Sequence, residues 1–255
     1  MPGLPPPKLL SMETIHNRFG DNLDYSHHQP ADTGATRSDL VIIGHGVTAN
    51  KDRPFIVSLA EALAADGYEV IRFSFSGNGK SGGDFRNSCP SREVDDLAAV
   101  IEAFPGRTIT YVGHSMGGAV GVLALNRGLP VKRFVSLAGM VHTELFARTE
   151  FGDVTPDTPQ GTMWGKPECP LSTTFLEDMK KIDSVLPMAA AITVPWLIVH
   201  GRQDDVIPIE HSRELLNANP TINLVELDGA DHVFSENNSD SLMASHVIRW
   251  LGQTT

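Results

Sequence analysis

Cysteine is nearly absent. Cys89 and Cys169 are the only two, they lie far apart, and they form no CxxC spacing. That excludes a disulfide framework and a cysteine-built zinc site, leaving at most one bridge open. The chain also has no apolar run that approaches a membrane span. Its first residues, Met1-Pro-Gly-Leu-Pro-Pro-Pro, hold no hydrophobic stretch of signal-peptide length, and their prolines resist helix formation. The cytoplasm is the expected location. Basic tracts are missing too. With 20 Lys and Arg against 31 Asp and Glu the formal net charge is -11, so neither nucleic acid nor an anionic membrane is an expected partner.

What is present is an ordinary globular composition, 41% hydrophobic and 20% charged over 255 residues. That length suits one domain with an insertion. No internal repeat occurs. Met12 to His16 and Leu23 to His27 read as two short polar strands, an edge hairpin joined through Gly20-Asp21-Asn22. Asp39 to Gly44 is a continuous apolar run ended by glycine, as expected of a strand buried on both faces. Thereafter helical and strand patterns alternate. Helices are expected over Phe55–Ala65, Ser91–Phe104, Met116–Asn126, Ile209–Asn217 and Ser241–Leu251. Strands are expected over Tyr68–Phe75, Thr108–Val112, Arg133–Leu137, Pro195–Val199 and Leu224–Leu227. Glu93, Asp95 and Asp96 suit the N-terminal end of the second helix. This alternation predicts an α/β protein with a mostly parallel sheet and helices on both faces. One stretch breaks the rhythm. Residues 141–192 lack clean alternation and are expected to form a small inserted cap. The remaining expectation is a tail over 1–11 and one core domain built from 12–140 and 193–255.

Gly113-His114-Ser115-Met116-Gly117 matches G-x-S-x-G, preceded by strand-like residues and followed by a helical pattern. Such a pentapeptide lifts a serine above the sheet edge on a sharp, strained turn, which needs small residues two places either side. Gly79-Lys80-Ser81-Gly82-Gly83 has the same letters, but no helix follows, so Ser81 is expected to be a loop residue. Nor does Gly79-Lys80-Ser81 make a phosphate loop, because Ser74 stands where that motif requires glycine.

A serine hydroxyl needs a base to take its proton, and the base needs a partner to fix its tautomer. The order serine, acid, histidine is met by Ser115, then Asp204 or Asp205 after an apolar strand, then His232 after the last strand. Backbone N–H groups of Val47, in the Gly44-His45-Gly46-Val47 turn, and of Met116 are the expected oxyanion donors. Such a relay requires no metal and no organic cofactor. His45, His142, Phe146 and Trp164 are the candidates for touching substrate. Packing is the competing role for the cap aromatics, which include Phe151 and Phe175.

Over nearly its full length the chain resembles the serine α/β-hydrolases. The shared marks are His45-Gly46, Gly77-Asn78-Gly79-Lys80-Ser81, the Ser115 pentapeptide, Gly201-Arg202-Gln203-Asp204 and Gly229-Ala230-Asp231-His232. Within that superfamily, His45-Gly46-Val47-Thr48-Ala49-Asn50 and Gly229 to Ser235 look like the bacterial cinnamoyl and feruloyl esterases. The resemblance implies the α/β-hydrolase fold, selects Asp204 over Asp205 as the acid, and implies a small-molecule hydroxycinnamate or related ester as substrate. It departs at Ser74 and Ser76, where many relatives carry aspartate and arginine or asparagine, and at Met116, where the cinnamoyl group often has glutamine. Monoacylglycerol lipase, lysophospholipase and thioesterase activities share the same relay. A catalytically silent binding protein on this fold is the alternative of another class. A homodimer is left open.

Overall fold

The structure, a computed structural model, describes residues 14–32 and 39–254. The expected tail over 1–11, and Met12 and Glu13 of the first expected strand, lie outside the described residues. The chain enters through two short pieces, β1 (Ile15–His16) and β2 (Asn22–Leu23), paired antiparallel. The arm expected to run from Leu23 to His27 then breaks at Asp24. There the Asp24 N–H donates to Ser81 Oγ (2.8 Å) and its carbonyl accepts from the Ser74 N–H (2.8 Å). Beyond this clasp β3 (Tyr25–His28) joins the main sheet instead.

The apolar runs become β4 (Asp39–Gly44), β5 (Glu69–Phe73), β6 (Thr108–His114), β7 (Val131–Leu137), β8 (Trp196–Gly201) and β9 (Asn223–Leu227). Together with β3 they form a seven-stranded sheet in the order β3-β5-β4-β6-β7-β8-β9, in which β3 alone is antiparallel. Strand periodicity sorts the core into two layers. Val41 and Ile43 of β4 face one side with α1 (Pro54–Ala65), whereas Leu40 and Ile42 face α2 (Pro90–Glu102) and α3 (Met116–Asn126) on the other. Every residue of β4 is buried, as the apolar run requires. Along α2 the buried residues Pro90, Glu93, Val94, Leu97, Val100 and Ile101 follow helical spacing, so Glu93 falls on the inward stripe. Asp96 is buried as well. Of the three acids expected at the start of this helix, Asp95 alone pairs with arginines among the described residues, Arg18 and Arg127.

Residues 141–192 leave the sheet between β7 and β8 and fold as α4 (Thr143–Phe151), a 3₁₀ turn at Met163–Gly165, α5 (Thr173–Ile182) and α6 (Leu186–Ala189). Phe151, Met163, Phe175 and Met179 bury themselves against one another and the α2–α3 side of the core. Packing is therefore the role of Phe151 and Phe175. The chain closes through α7 (Ile209–Ala218) and α8 (Ser239–Gln253), the latter beside α1. Cys89 and Cys169 are both buried and free, so no bridge forms between them. Among the described residues no helix is long and apolar enough to cross a membrane.

Candidate active site

Parallel strands with crossover helices leave their carboxyl ends on one edge of the sheet, where the connecting loops meet. The loops after β4, β6, β8 and β9 carry Val47, Ser115, Asp204 and His232 to that edge.

Ser115 sits between β6 and α3 with φ 53° and ψ -119°, a left-handed conformation that costs a non-glycine residue of the order of 1–3 kcal/mol. The packing around it explains why it persists. A Cβ on Gly113 would lie 2.1 Å from the Gly117 carbonyl oxygen, and one on Gly117 would lie 2.7 Å from that of His45. Only glycines let these backbones pass, so the strand must turn sharply into the helix. Ser115 itself accepts at its carbonyl from the N–H groups of Gly118 (2.8 Å) and Met140 (2.9 Å). Met116 opens α3, so its N–H has no intrahelical acceptor.

The β4 turn lies against this serine: a Cβ on Gly46 would stand 2.7 Å from Ser115 Cβ and 3.1 Å from its Oγ. A Gly46-to-Ala49 turn (N–H to carbonyl 3.2 Å), with Thr48 at φ 54°, leaves the Val47 N–H outside the turn's own bond. Val47 lines the same cavity as Ser115. His45 has another task. Its Nδ1–H donates to the Gly46 carbonyl (2.9 Å) and its Nε2 accepts from the Phe75 N–H (3.0 Å). Burial lowers its pKa to about 4, so the ring is neutral and braces the turn. His45 is wholly buried and is not on the cavity wall, so it does not stand where a substrate contact requires.

Asp204 follows β8 with a fully buried side chain. Its Oδ1 accepts from the N–H groups of Val206 (2.9 Å) and Ile207 (2.8 Å). Its Oδ2 accepts from His232 Nδ1 (2.8 Å) and His200 Nε2 (3.1 Å). Burial opposes the carboxylate, but the bonds from His200, His232 and Ile207 outweigh it and hold the group well below the usual range. With Nδ1 of His232 bound to Asp204, Nε2 is the ring nitrogen left outside that bond. The sequence marks His200 as no more than an ordinary, partly buried histidine. Its Nε2 also donates to the Ile207 carbonyl (2.9 Å), and its Nδ1 accepts from Ser212 Oγ (2.7 Å). Only the folded β8–α7 corner brings these groups together. The loop bearing His232 is tied down by Ser235, whose N–H and hydroxyl both donate to Asp231 (2.6 and 2.7 Å). His114 donates from Nε2 to the His232 carbonyl (2.9 Å), and burial pushes its own pKa well below the imidazole range.

Ser115 and His232 share a cavity of about 210 Å³ whose walls include Phe55, Phe146, Trp164, Val206 and Val233. Phe146 and Trp164 thus line the cavity. His142 does not: it pairs with Glu214 (2.7 Å) and packs edge-on against His211, away from this wall. Asp205 is exposed beside His211. Ser81 is occupied elsewhere, donating to the Ser74 carbonyl (2.6 Å) while accepting from Asp24. Among the described residues no group of His, Cys, Asp and Glu is arranged to hold a metal ion.

This topology and this edge of loops define the class. A family model for the alpha/beta hydrolase fold matches residues 39–162. Est1E from Butyrivibrio proteoclasticus, solved with ferulic acid bound, superposes with TM-score 0.79 at 24% identity, over 95% of this chain and 98% of that one. Alpha/beta hydrolase domain-containing protein 10 from mouse gives 0.75 at 17% identity, over 96% and 100% of the two chains. In sequence, a protein of Azorhizobium caulinodans assigned as a carbamate hydrolase, RutD, is 24% identical, covering 84% of this chain and 92% of its own length. The chain has the α/β-hydrolase fold, its residues 39–162 match that family's model, and the solved structures that share the fold include esterases.

Proposed function

We propose that the protein is a serine carboxylic ester hydrolase acting through an acyl-enzyme on small aryl or short-chain esters, hydroxycinnamate esters among them. The observation that carries this reading is Ser115 on its strained turn, facing one cavity with His232, whose Nδ1 is bound to buried Asp204. In the proposed cycle Ser115 Oγ attacks the ester carbonyl as its proton passes to His232 Nε2. The tetrahedral oxyanion takes hydrogen bonds from the N–H groups of Val47 and Met116. Collapse expels the alcohol, which leaves with the proton from His232. Water then repeats the sequence on the acyl-enzyme, releasing the acid and restoring Ser115. Asp204 orients the imidazole and stabilises its charged form.

The largely apolar cavity is below the usual range for drug-sized ligands, roughly 300–1,000 Å³, which favours small acyl or aryl groups over long chains. Est1E, whose structure holds ferulic acid, lends the aryl preference its support. Hydrolysis of nitrophenyl acetate and methyl ferulate by the Ser115→Ala variant tests the reading. A fall in kcat/KM on the order of 10⁴-fold or more is expected, and retention of full activity refutes it.

A further inference from the structure

The cavity beside Ser115 carries two cations, Arg53 and Lys166, and no carboxylate on its wall among the described residues. In a chain of net charge -11 that is a pointed local excess. Several other cations of the chain are answered by a carboxylate: Arg72 by Asp52, Arg92 by Asp21, Arg133 by Asp39, Arg202 and Arg213 by Glu226. Arg53 and Lys166 have no ion pair among the described residues. Lys166 Nζ donates only to Thr48 Oγ1 (3.1 Å), on the turn that carries Val47, and lies 5.8 Å from the Trp164 ring centroid. Arg53 precedes α1, with no side-chain cap on that helix end and no acid in its first turn. It also lines an adjoining cavity of about 410 Å³ that shares Phe55 and Val233 with the first. The acid on that second wall, Asp240, is engaged by Ser58 Oγ (3.0 Å) and the Ser241 N–H (2.7 Å).

We propose that Arg53 and Lys166 select an ester that carries a carboxylate remote from the reacting carbonyl. This rests on the hydrolase reading above and names its substrate class. Both cations are half-buried, where attraction for an anion is screened less than on an open surface. A guanidinium offers a planar fork that matches a carboxylate, while an ammonium on a flexible stem adds a point charge. An uncharged ester leaves both unanswered. In so small a cavity, a substrate with its carbonyl at Ser115 brings a charge at its far end to the wall that holds them.

The test compares matched charged and neutral esters. 4-Acetoxybenzoate is set against 4-acetoxybenzamide, which places the charge on the leaving group. Monomethyl terephthalate is set against its carboxamide, which places it on the acyl group. In at least one pair kcat/KM is expected to favour the carboxylate by about ten-fold or more. That ratio should fall towards one in the Arg53→Gln/Lys166→Gln double variant and at raised salt, and survive in Arg53→Lys and Lys166→Arg. A ratio near one in both pairs, or a preference that persists in the double variant, overturns the inference. If neutral esters are hydrolysed and Ser115 takes a fluorophosphonate while the ratio is one, only the carboxylate preference fails. If no ester is turned over and Ser115 takes no label, the hydrolase reading fails with it.

Discussion

Asp204 shows how much one side chain is asked to do. Its two oxygens accept four hydrogen bonds, two from imidazoles and two from backbone N–H groups. An amide in its place would present a donor towards Nδ1 of His232 and favour the wrong tautomer. Asp204→Asn is expected to lower kcat on an aryl ester by roughly 10⁴-fold and also to lower the melting temperature at neutral pH, because the buried carboxylate's bonds stabilise the fold; steady-state kinetics beside a melting curve check both. At this scale order and spacing single out Ser115, His232 and an aspartate at 204 or 205, while the choice of Asp204 comes from the family resemblance; the fold places Asp204 against His232 and leaves Asp205 exposed. Single histidines are not legible in this way. His45 and His142 look equally open to substrate in one dimension, yet the first braces a turn through both ring nitrogens and the second pairs with Glu214. His200 contacts Asp204 only four residues away, but its other partners, Ile207 and Ser212, arrive through the fold of the following loop and helix.

Between β6 and α3 the turn that carries Ser115 works as a unit, because glycine backbones touch where side chains would otherwise meet. Gly113→Ala forces a Cβ to within 2.1 Å of a backbone oxygen that has no freedom to swing aside. Overpacking of this kind costs about 1–3 kcal/mol, and the denaturant midpoint should fall accordingly, with kcat falling further as Ser115 is displaced. Gly128→Ala, where a Cβ meets nothing within 4 Å but φ is 81°, separates backbone strain alone from the clash. The central strands and their helices are legible because each is an apolar run or a helical stripe bounded by turn residues. Two elements are less so. β3 is polar and half-buried, and its place at the sheet edge is set by the clasp at Asp24 rather than by its own pattern. The helices of residues 141–192 follow one another with no strand of the sheet between them, so the strand–helix alternation that marks the rest of the chain gives no guide there.

Across the whole molecule, acidity reaches the interior. Glu93 and Asp96 are both buried beneath α2, where Asp96 accepts from Asn17 Nδ2 (2.7 Å) and from the Ser76 N–H and hydroxyl (2.7 and 2.8 Å). Glu93 accepts from Ser88 (3.2 Å), and its second oxygen has no hydrogen-bond partner among the described residues. Burial first, and then the nearby Asp96 charge, push Glu93 well above the usual glutamate range. The folded chain therefore keeps a proton there that the unfolded chain releases. Its contribution to stability is full below the unfolded pKa and is lost as pH rises through the folded value. Glu93→Gln removes this liability, so its melting temperature relative to the parent should increase from about pH 5 to about pH 8. A pH-independent difference would show that Glu93 does not titrate on unfolding. Asp204 has the opposite sign. Its depressed pKa stabilises the fold above the unfolded aspartate range, and that stability is lost as pH falls through the folded value.

All three scales meet at Ser115, which in the proposed mechanism is reactive only if its turn, His232 and Asp204 are in place together. Treatment with a fluorophosphonate followed by peptide mass spectrometry tests this most directly. The expected result is one adduct, on Ser115, absent from Ser115→Ala and strongly slowed in His232→Ala. No adduct, or an adduct on Ser81 with Ser115 untouched, would contradict the account.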